Sequence, residues 1–340
     1  MLFGSVRVPE RVGACRNMLG QGLPSLAFGA PLAFGLLVAV AWRMIIRQPP
    51  TPVSDGRQHT HGVADLVQLL EGQGTLVLSG AGLSTESGIP DYRGGGRQGL
   101  VRTPINYQQF VGQADMRQRY WARSMVGWLA MDARKPNAGH RAVARLERAG
   151  LVTGVITQNV DGLHQAAGSR EVVELHGSLA QVVCLRCGRT ERRDSMQVRL
   201  EGLNPQVVSA VVNADVQILP DGDADLPDAL VESFKIPACL HCGGVLKADV
   251  VFFGENVPRP RVERAYELLH AADALLVLGS SLAVRSGYRF VVSAKEAGKR
   301  VAIINSGPTR GDAEADVRVE GRLGEVLPEL ARRLAGEASG

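Results

Sequence analysis

Four of the five cysteines stand in two pairs, Cys184-x-x-Cys187 and Cys239-x-x-Cys242, with 51 residues between them. Four thiolates suit one tetrahedral Zn2+ with no open position, which makes the metal structural rather than catalytic. A redox-active CxxC is the alternative, but redox chemistry needs only one pair. Gly188 and Gly243 each follow the second cysteine of a pair, which suits a knuckle turn that aims backbone N–H groups at sulfur. His241 lies inside the second pair and is not needed as a ligand, because four sulfurs suffice. The gap exceeds the roughly 15–20 residues usual for such sites. An insertion must therefore sit inside the zinc module, including Leu203-Asn204-Pro205 and the acidic run PDGDADLPD at 220–228.

A second group of candidates is polar. Gln158-Asn159-Val160-Asp161-Gly162-Leu163-His164 follows the apolar run 151–157. Polar groups at the carboxyl end of a strand are where open α/β sheets bind ligands. An Asn/Asp/Gly turn without a ligand is the alternative. His176 sits beside Gly177 after another short apolar run, 172–175. A histidine next to a glycine is a weak signal by itself, yet an imidazole near neutral pKa can take a proton from a hydroxyl at physiological pH. His140, at the start of a helix, and His164 are expected to be structural.

These groups need a frame, and its centre is the stretch TLVLSGAGLSTESGIPDYRG at 75–94. Thr75 to Leu78 is short and apolar enough for a fully buried parallel strand. Gly80 and Gly82 break it, and without a Cβ the backbone can turn tightly and lie against a diphosphate. Ser84 to Ser87 then reads as a short helical start whose free N–H groups face an anion. Strand, glycine turn and helix start form the dinucleotide-binding arrangement, although Thr85 stands where the third glycine of GxGxxG belongs. Gly94, Gly95, Gly96 and Gly99 make a loop suited to a lid. Helices are expected over 62–71, 115–129, 136–150 with Asn137 as N-cap, 258–270 and 323–334, and another starts at 286. Tyr120, Trp121, Val126 and Trp128 read as core or cleft wall. Strands are expected over 151–157, 172–175, 246–255, 274–278 and 300–304, with 246–255 returning to the sheet. Asn305, ending the last of them, is placed to bond an adenosine ribose, the task of an acidic residue in NAD dehydrogenases. The fold class is α/β: a Rossmann-like parallel sheet with helices on both faces, plus a small structural-zinc module carrying an insertion.

The chain has 340 residues, enough for one large domain or two smaller ones, and 40 glycines, which suits an α/β enzyme with close backbone approaches. Its net charge of +4 comes from 38 basic and 34 acidic residues. Five arginines and Glu10 lie in residues 1–50, leaving 33 of each sign in the rest, so charge supports no nucleic-acid partner. Paired CxxC thiols fit a reducing compartment, and a cytoplasmic location is expected. Residues 26–46 form an apolar run whose one charge is Arg43, near the length needed to cross a bilayer. A membrane anchor, a targeting segment and a translated upstream region with the start at Met18 or Met44 remain the three explanations. A membrane-tethered location follows only from the first. The expected division is an extension over 1–50 outside the fold, a Rossmann-like domain over 51–180 and 246–335, and a zinc module over 181–245.

The glycine turn continued by SGIPDYRGGG, then QNVDGLH, ELHG, the two CxxC pairs and LKADVVFFGE, resembles the sirtuins, the NAD-dependent protein-lysine deacylases. RQRYWAR, LNP, PDGD, VVFFGEN and SGYRF favour class II of that family, the branch with the mitochondrial ADP-ribosyltransferase and lipoamidase sirtuin. The resemblance covers roughly residues 60–335. It implies a deacylase that consumes NAD and passes the acyl group to ADP-ribose with release of nicotinamide. A protein ADP-ribosyltransferase or long-chain or lipoyl deacylase on the same site, and an inert NAD-sensing scaffold, are the alternatives. Acyl-lysine proteins are the implied substrates, NAD the co-substrate, and one Zn2+, held by Cys184, Cys187, Cys239 and Cys242, the metal. His176 would be the catalytic base, with Asn159 beside it. The implied cofactor contacts are Gly80, Ala81, Gly82, Ser84, Asp91, Tyr92, Arg93, Leu100, Gln158, Asn159, Val160 and Asp161. On the other side they are Gly279, Ser280, Ser281, Asn305, Ser306, Gly307 and Leu323. Among these, Asp91, Tyr92 and Arg93 would close over the nicotinamide ribose, Gln158 and Asn159 would contact it, and Asp161 would bond the carboxamide. Val251, Phe252, Phe253 and Gly254 would pair with the substrate peptide and line the acyl-lysine tunnel. The desuccinylase branch carries a Tyr-x-x-Arg pair soon after the cofactor loop. Residues 94–112 have none, and Tyr120 and Arg123 lie too far on.

Overall fold

The computed structural model describes residues 61–91, 104–211 and 226–336. The apolar run 26–46, Tyr92, Arg93, Leu100, the glycine-rich loop and most of the acidic run lie outside the described residues. In chain order the elements begin with helix Val63–Leu70 (α1) and strand Thr75–Ser79 (β1). Helices Tyr107–Gly112 (α2), Ala114–Asp132 (α3) and Ala138–Arg148 (α4) lead to Val152–Thr157 (β2), Leu163–Ala166 (α5) and Val172–Glu174 (β3). Gly177–Cys184 (β4), Thr190–Arg192 (β5), Arg193–Leu203 (α6), Pro205–Val211 (α7), Asp228–Glu232 (α8) and Leu246–Val250 (β6) follow. Arg259–Ala271 (α9), Ala274–Leu278 (β7), Arg285–Glu296 (α10), Arg300–Asn305 (β8), Val317–Glu320 (β9) and Leu323–Ala335 (α11) complete the chain. No helix among the described residues is long and apolar enough to cross a membrane.

The main sheet runs β3-β2-β1-β7-β8-β9 and every ladder in it is parallel. With β4, β5 and β6 set apart, this is the 3-2-1-4-5-6 order of doubly wound dinucleotide folds, with its switch point between β1 and β7. Parallel strands buried on both faces require apolar residues at successive positions, and β1 and β7 are buried throughout. Side chains alternate between two layers. Val77, Leu276 and Ile304 pack with Leu66, Val143 and Leu327 from α1, α4 and α11. Leu76, Leu78, Val277 and Ile303 pack with Leu268, Phe290 and Val291 from α9 and α10. Each such side chain, fully buried, contributes about 1.5–3 kcal/mol relative to exposure.

The second sheet is antiparallel, in the order β5-β4-β6. Here the structure differs from the expectation that 246–255 returns to the main sheet. The physical reason is the cysteine cluster: β4 ends at Cys184, and only three residues separate Cys242 from Leu246. Drawing both knuckles together sets Cys184 opposite Leu246. Beyond Val250 the segment leaves strand geometry. The insertion folds back onto this sheet, with Met196, Leu200, Val207, Val231 and Phe234 packed against Val182, Leu246 and Ala248. Asn204 explains the LNP motif. Its side chain is buried, donates to the carbonyls of Leu200 and Lys235 at 2.8 Å each and accepts the Lys235 N–H at 2.7 Å, while Pro205 opens the next helix.

A second difference lies after the glycine turn. Residues 81–83 and 85–87 form two short 3-10 turns rather than the start of an α-helix, and the N–H groups of Ser84 and Ser87 bond the carbonyls of Ala81 and Ser84. Gly88, at φ +79°, ends the second turn, and Pro90 has no N–H with which to continue.

Candidate functional site

The switch point brings the ends of β1, β2 and β7 side by side, with Ser79 in register with both Thr157 and Leu278. The turns that follow interlock. A Cβ on Gly82 would stand 2.8 Å from the Gly279 carbonyl oxygen, and one on Gly279 would stand 2.4 Å from the Leu83 nitrogen and 2.8 Å from Leu323 Cδ1. Gly279 also has φ +58°, a left-handed conformation that costs other residues free energy. The glycines thus serve the close approach of two strand-end turns, and Leu323 of α11 packs against that junction.

Above the junction lies a continuous polar network. The Ser79 hydroxyl meets Thr157 Oγ1 and His164 Nε2, each at 2.9 Å. The Asn159 amide donates to the Gly80 carbonyl and to Ser84 Oγ, both at 3.1 Å, while Ser84 donates to Asp161 Oδ2 at 2.7 Å. The Gln158 amide reaches Ser280 Oγ at 2.8 Å. Burial pushes the Asp161 carboxyl upward, and the Ser84 hydrogen bond opposes that shift. Ala81, Ser84, Ile89, Pro90 and residues 158–161 line a cleft here.

His176 stands just beyond β3. Its Nδ1 lies 3.1 Å from the Gln158 carbonyl and its Nε2 lies 2.8 Å from Ser286 Oγ. Burial lowers its pKa and the nearby Arg289 lowers it further, while the Gln158 carbonyl pulls the other way. The ring is therefore neutral at pH 7, with a lone pair available for a proton. The backbone carbonyl of His176 accepts the Val251 N–H at 2.8 Å, so 251–254 starts directly beside the imidazole. Phe252 turns inward against Phe110 and Tyr120, at 5.1 and 5.0 Å between ring centres, whereas Phe253 and Gly254 are exposed. Tyr120 therefore belongs to an aromatic core.

The remaining expected cofactor residues lie along the same edge of the sheet. Asn305 ends β8 and donates to the carbonyls of Ser306 and Gly307 at 3.1 and 2.9 Å, holding that loop. Ser281 follows Ser280 in the turn after β7, and its carbonyl accepts the Arg310 N–H at 3.0 Å. Asp91 closes the described part of the first loop. His140 and His164 are buried edge to face, 5.2 Å apart.

At the other end of β4 the four cysteine sulfurs lie within 4.8 Å of one another. Cys184 and Cys242 are 3.5 Å apart and Cys187 and Cys239 are 3.9 Å apart. Zn–S bonds of about 2.3 Å place sulfurs about 3.8 Å apart in a tetrahedron, so the set fits one zinc ion, with His241 not part of it. Gly188 and Gly243 have φ +70° and +69°, and their N–H groups close the knuckles on the carbonyls of Cys184 and Cys239.

Two participants had little signal in the sequence. Ser286 reaches His176 across 110 positions, a distance at which no local pattern pairs a serine with a histidine. Lys247 carried a weak signal, a cation inside an apolar strand. Its ammonium is buried 3.0 Å from Glu255 Oε2, 2.5 Å from the Val250 carbonyl and 4.7 Å from the centre of the Phe252 ring. Glu255 also accepts the Phe252 N–H at 2.8 Å, so the pair ties both ends of the 250–255 loop.

Known proteins similar to this chain come from one family. The profile of the Sir2 family matches residues 80–286. NAD-dependent protein deacetylase 1 of Streptomyces coelicolor is 55% identical over 286 residues, which is 84% of this chain and 94% of that protein. NAD-dependent protein deacylase Sirt4 of Drosophila melanogaster is 48% identical over 265 residues, 77% of this chain and 84% of that protein. A solved structure of Sir2 bound to acetylated peptide is similar with a TM-score of 0.63 at 27% identity, over 82% of this chain and 100% of that one. A Sir2, p53 peptide and NAD+ complex is similar with a TM-score of 0.59 at 30% identity, over 80% and 97%. With the profile spanning more than half of its length and a relative 55% identical over 84% of it, this chain belongs to the Sir2 family.

Proposed function

We propose that the chain is an NAD-dependent protein-lysine deacylase, and that His176 is its base. The observation that carries this reading is the convergence, at one switch point, of a neutral buried imidazole with the Asn159, Ser84 and Asp161 network. NAD, when bound, supplies an electrophilic ribose carbon that accepts the acyl oxygen as nicotinamide leaves.

The residues present suit that co-substrate. The cleft at the switch point offers amide, hydroxyl and carboxyl groups from Gln158, Asn159, Ser84 and Asp161, with Ile89 and Pro90 as an apolar wall. Asn159 and Gln158 would contact the nicotinamide ribose and Asp161 would take the carboxamide. Ser280, Ser281, Asn305, Ser306, Gly307 and Leu323 would serve the adenosine side. His176, neutral at pH 7, removes a proton from a ribose hydroxyl at Nε2. The segment 251–254, running out from the His176 carbonyl, takes an extended acyl-lysine peptide by strand addition. A zinc ion held by Cys184, Cys187, Cys239 and Cys242 would fix β4 against β6. With four sulfurs it has no position for substrate.

The test is incubation of an acetyl-lysine peptide with NAD and the enzyme, following nicotinamide and NADH together. Nicotinamide release without NADH is expected. A folded His176→Ala protein should lose at least about 10²–10⁴-fold in turnover, the contribution of one positioned proton-transfer group. NADH formation, or near-normal turnover by His176→Ala, would contradict the assignment.

A further inference from the structure

Lys247 is the second residue of β6, and its side chain is buried. An ammonium has three N–H donors. At Lys247 they meet the Val250 carbonyl at 2.5 Å, the Ala248 carbonyl at 3.3 Å and Glu255 Oε2 at 3.0 Å. The same carboxylate oxygen accepts the Phe252 N–H at 2.8 Å, and the Glu255 N–H returns to the Phe252 carbonyl at 3.0 Å. Residues 252–255 thus form a β-turn, with Gly254 at φ +79° in the position where a type II turn requires positive φ. The ammonium also faces the Phe252 ring, 4.7 Å from its centre, on the inward side where Phe252 meets Phe110 and Tyr120, while Phe253 stands exposed.

We propose that Lys247 and Glu255 are positioning residues for substrate, presetting the 250–255 loop in the shape that receives an acyl-lysine peptide. This deepens the reading of 251–254 as the peptide-binding segment and rests on it. A buried ion pair is often no more stabilising than apolar residues of the same volume. What this pair contributes is geometry, because it holds the Val250 carbonyl and the Phe252 N–H, on either side of Val251, to one point. Val251 in turn donates to the His176 carbonyl at 2.8 Å, so the held loop is registered against the base. A loop that must be ordered when peptide arrives costs conformational entropy and weakens the complex. A preset turn avoids that cost. The benefit is equal in the ground and transition states, so its loss raises KM for peptide and leaves kcat unchanged. The expected size is that of one hydrogen bond to a charged group, about tenfold in affinity.

The experiment uses the full chain with Glu255→Ala, Lys247→Met and the double variant. Hydrogen exchange of the ligand-free proteins reports the loop, and fluorescence anisotropy of a labelled acetyl-lysine peptide reports its Kd. In wild type the amides of Phe252 and Glu255 are expected to be protected, and in both single variants to exchange faster. Peptide Kd and KM should rise about tenfold, with kcat and the thermal shift given by NAD unchanged. The double variant should bind no more weakly than the worse single one, because the two residues act as one unit. It leaves no unpaired buried charge and so keeps the test open if a single variant does not fold. Wild-type peptide affinity in folded variants, independent effects that multiply in the double variant, or an equal loss of the NAD shift would overturn the proposal. If wild type binds the peptide yet consumes no NAD, the reaction assigned above fails while the positioning role stands. No binding of the peptide by wild type would overturn the proposal together with the assignment of 251–254.

Discussion

The histidines divide by environment. His176 keeps one ring nitrogen on a carbonyl and the other on a hydroxyl, whereas His140 and His164 are buried against each other. Burial, assisted by Arg141, holds His140 down to about 4. Burial, assisted by His140, holds His164 down to about 3. A histidine in the unfolded chain titrates near ~6.5. Below that pH the unfolded chain takes up protons that the folded one refuses. Stability from these two groups is thus complete above pH ~6.5 and is lost as pH falls toward their folded values. Each should withdraw about 1.4 kcal/mol per pH unit in that window. Urea unfolding between pH 7 and pH 5 measures this, and an unchanged midpoint would contradict it. The sequence separated these roles in part. His140 stood at a capped helix start and His164 in a turn, where structural roles were expected. Nothing local indicated that they would share one buried site, because their contact depends on how α4 and α5 pack.

At the scale of elements, two junctions organise the molecule. In the first, Gly82 and Gly279 allow the turns after β1 and β7 to interlock. Gly279→Ala should cost about 1–3 kcal/mol through overpacking, and more from its positive φ, and should abolish the thermal stabilisation given by NAD. Gly202→Ala, where nothing lies within 4 Å of the new Cβ, is the control and should be neutral or slightly stabilising. Equal melting temperatures and equal NAD shifts in both variants would refute the junction. In the second, the zinc knuckles pin β4 beside β6. Metal analysis should find one zinc per chain, and Cys184→Ser or Cys242→Ser should yield misfolded or aggregating protein rather than a soluble enzyme with a selective defect. Purification without chelators that gives metal-free, active protein would contradict it. The elements legible in the sequence were those with strong periodicity or apolar runs, such as β1, β7, α4 and α11. The site of β6 was not, because its pairing with β4 joins segments that carry distant cysteines and no pattern within residues 246–255 indicates that partner. The 3-10 turns were not, because their geometry follows from the close approach of Gly279.

For the molecule as a whole, the doubly wound order brings Gln158, Asn159, Ser84 and Asp161 together at the switch point, with Asn305 further along the same sheet edge, and the second sheet gathers the four cysteines. The family was legible because its motifs combine unusual residues at fixed spacing: QNVDGLH, ELHG and the paired CxxC. The Ser286 and Lys247 contacts were not, because each joins residues through folding rather than through a contiguous pattern. The central claim is that NAD accepts the acyl group. Its most direct measurement is mass spectrometry of a single reaction containing enzyme, NAD and acetyl-lysine peptide, with nicotinamide, deacylated peptide and acylated ADP-ribose quantified together. Equal amounts of all three are expected, each lost in His176→Ala. Release of free acetate with NAD left intact, or ADP-ribosylated protein without deacylated lysine, would contradict it.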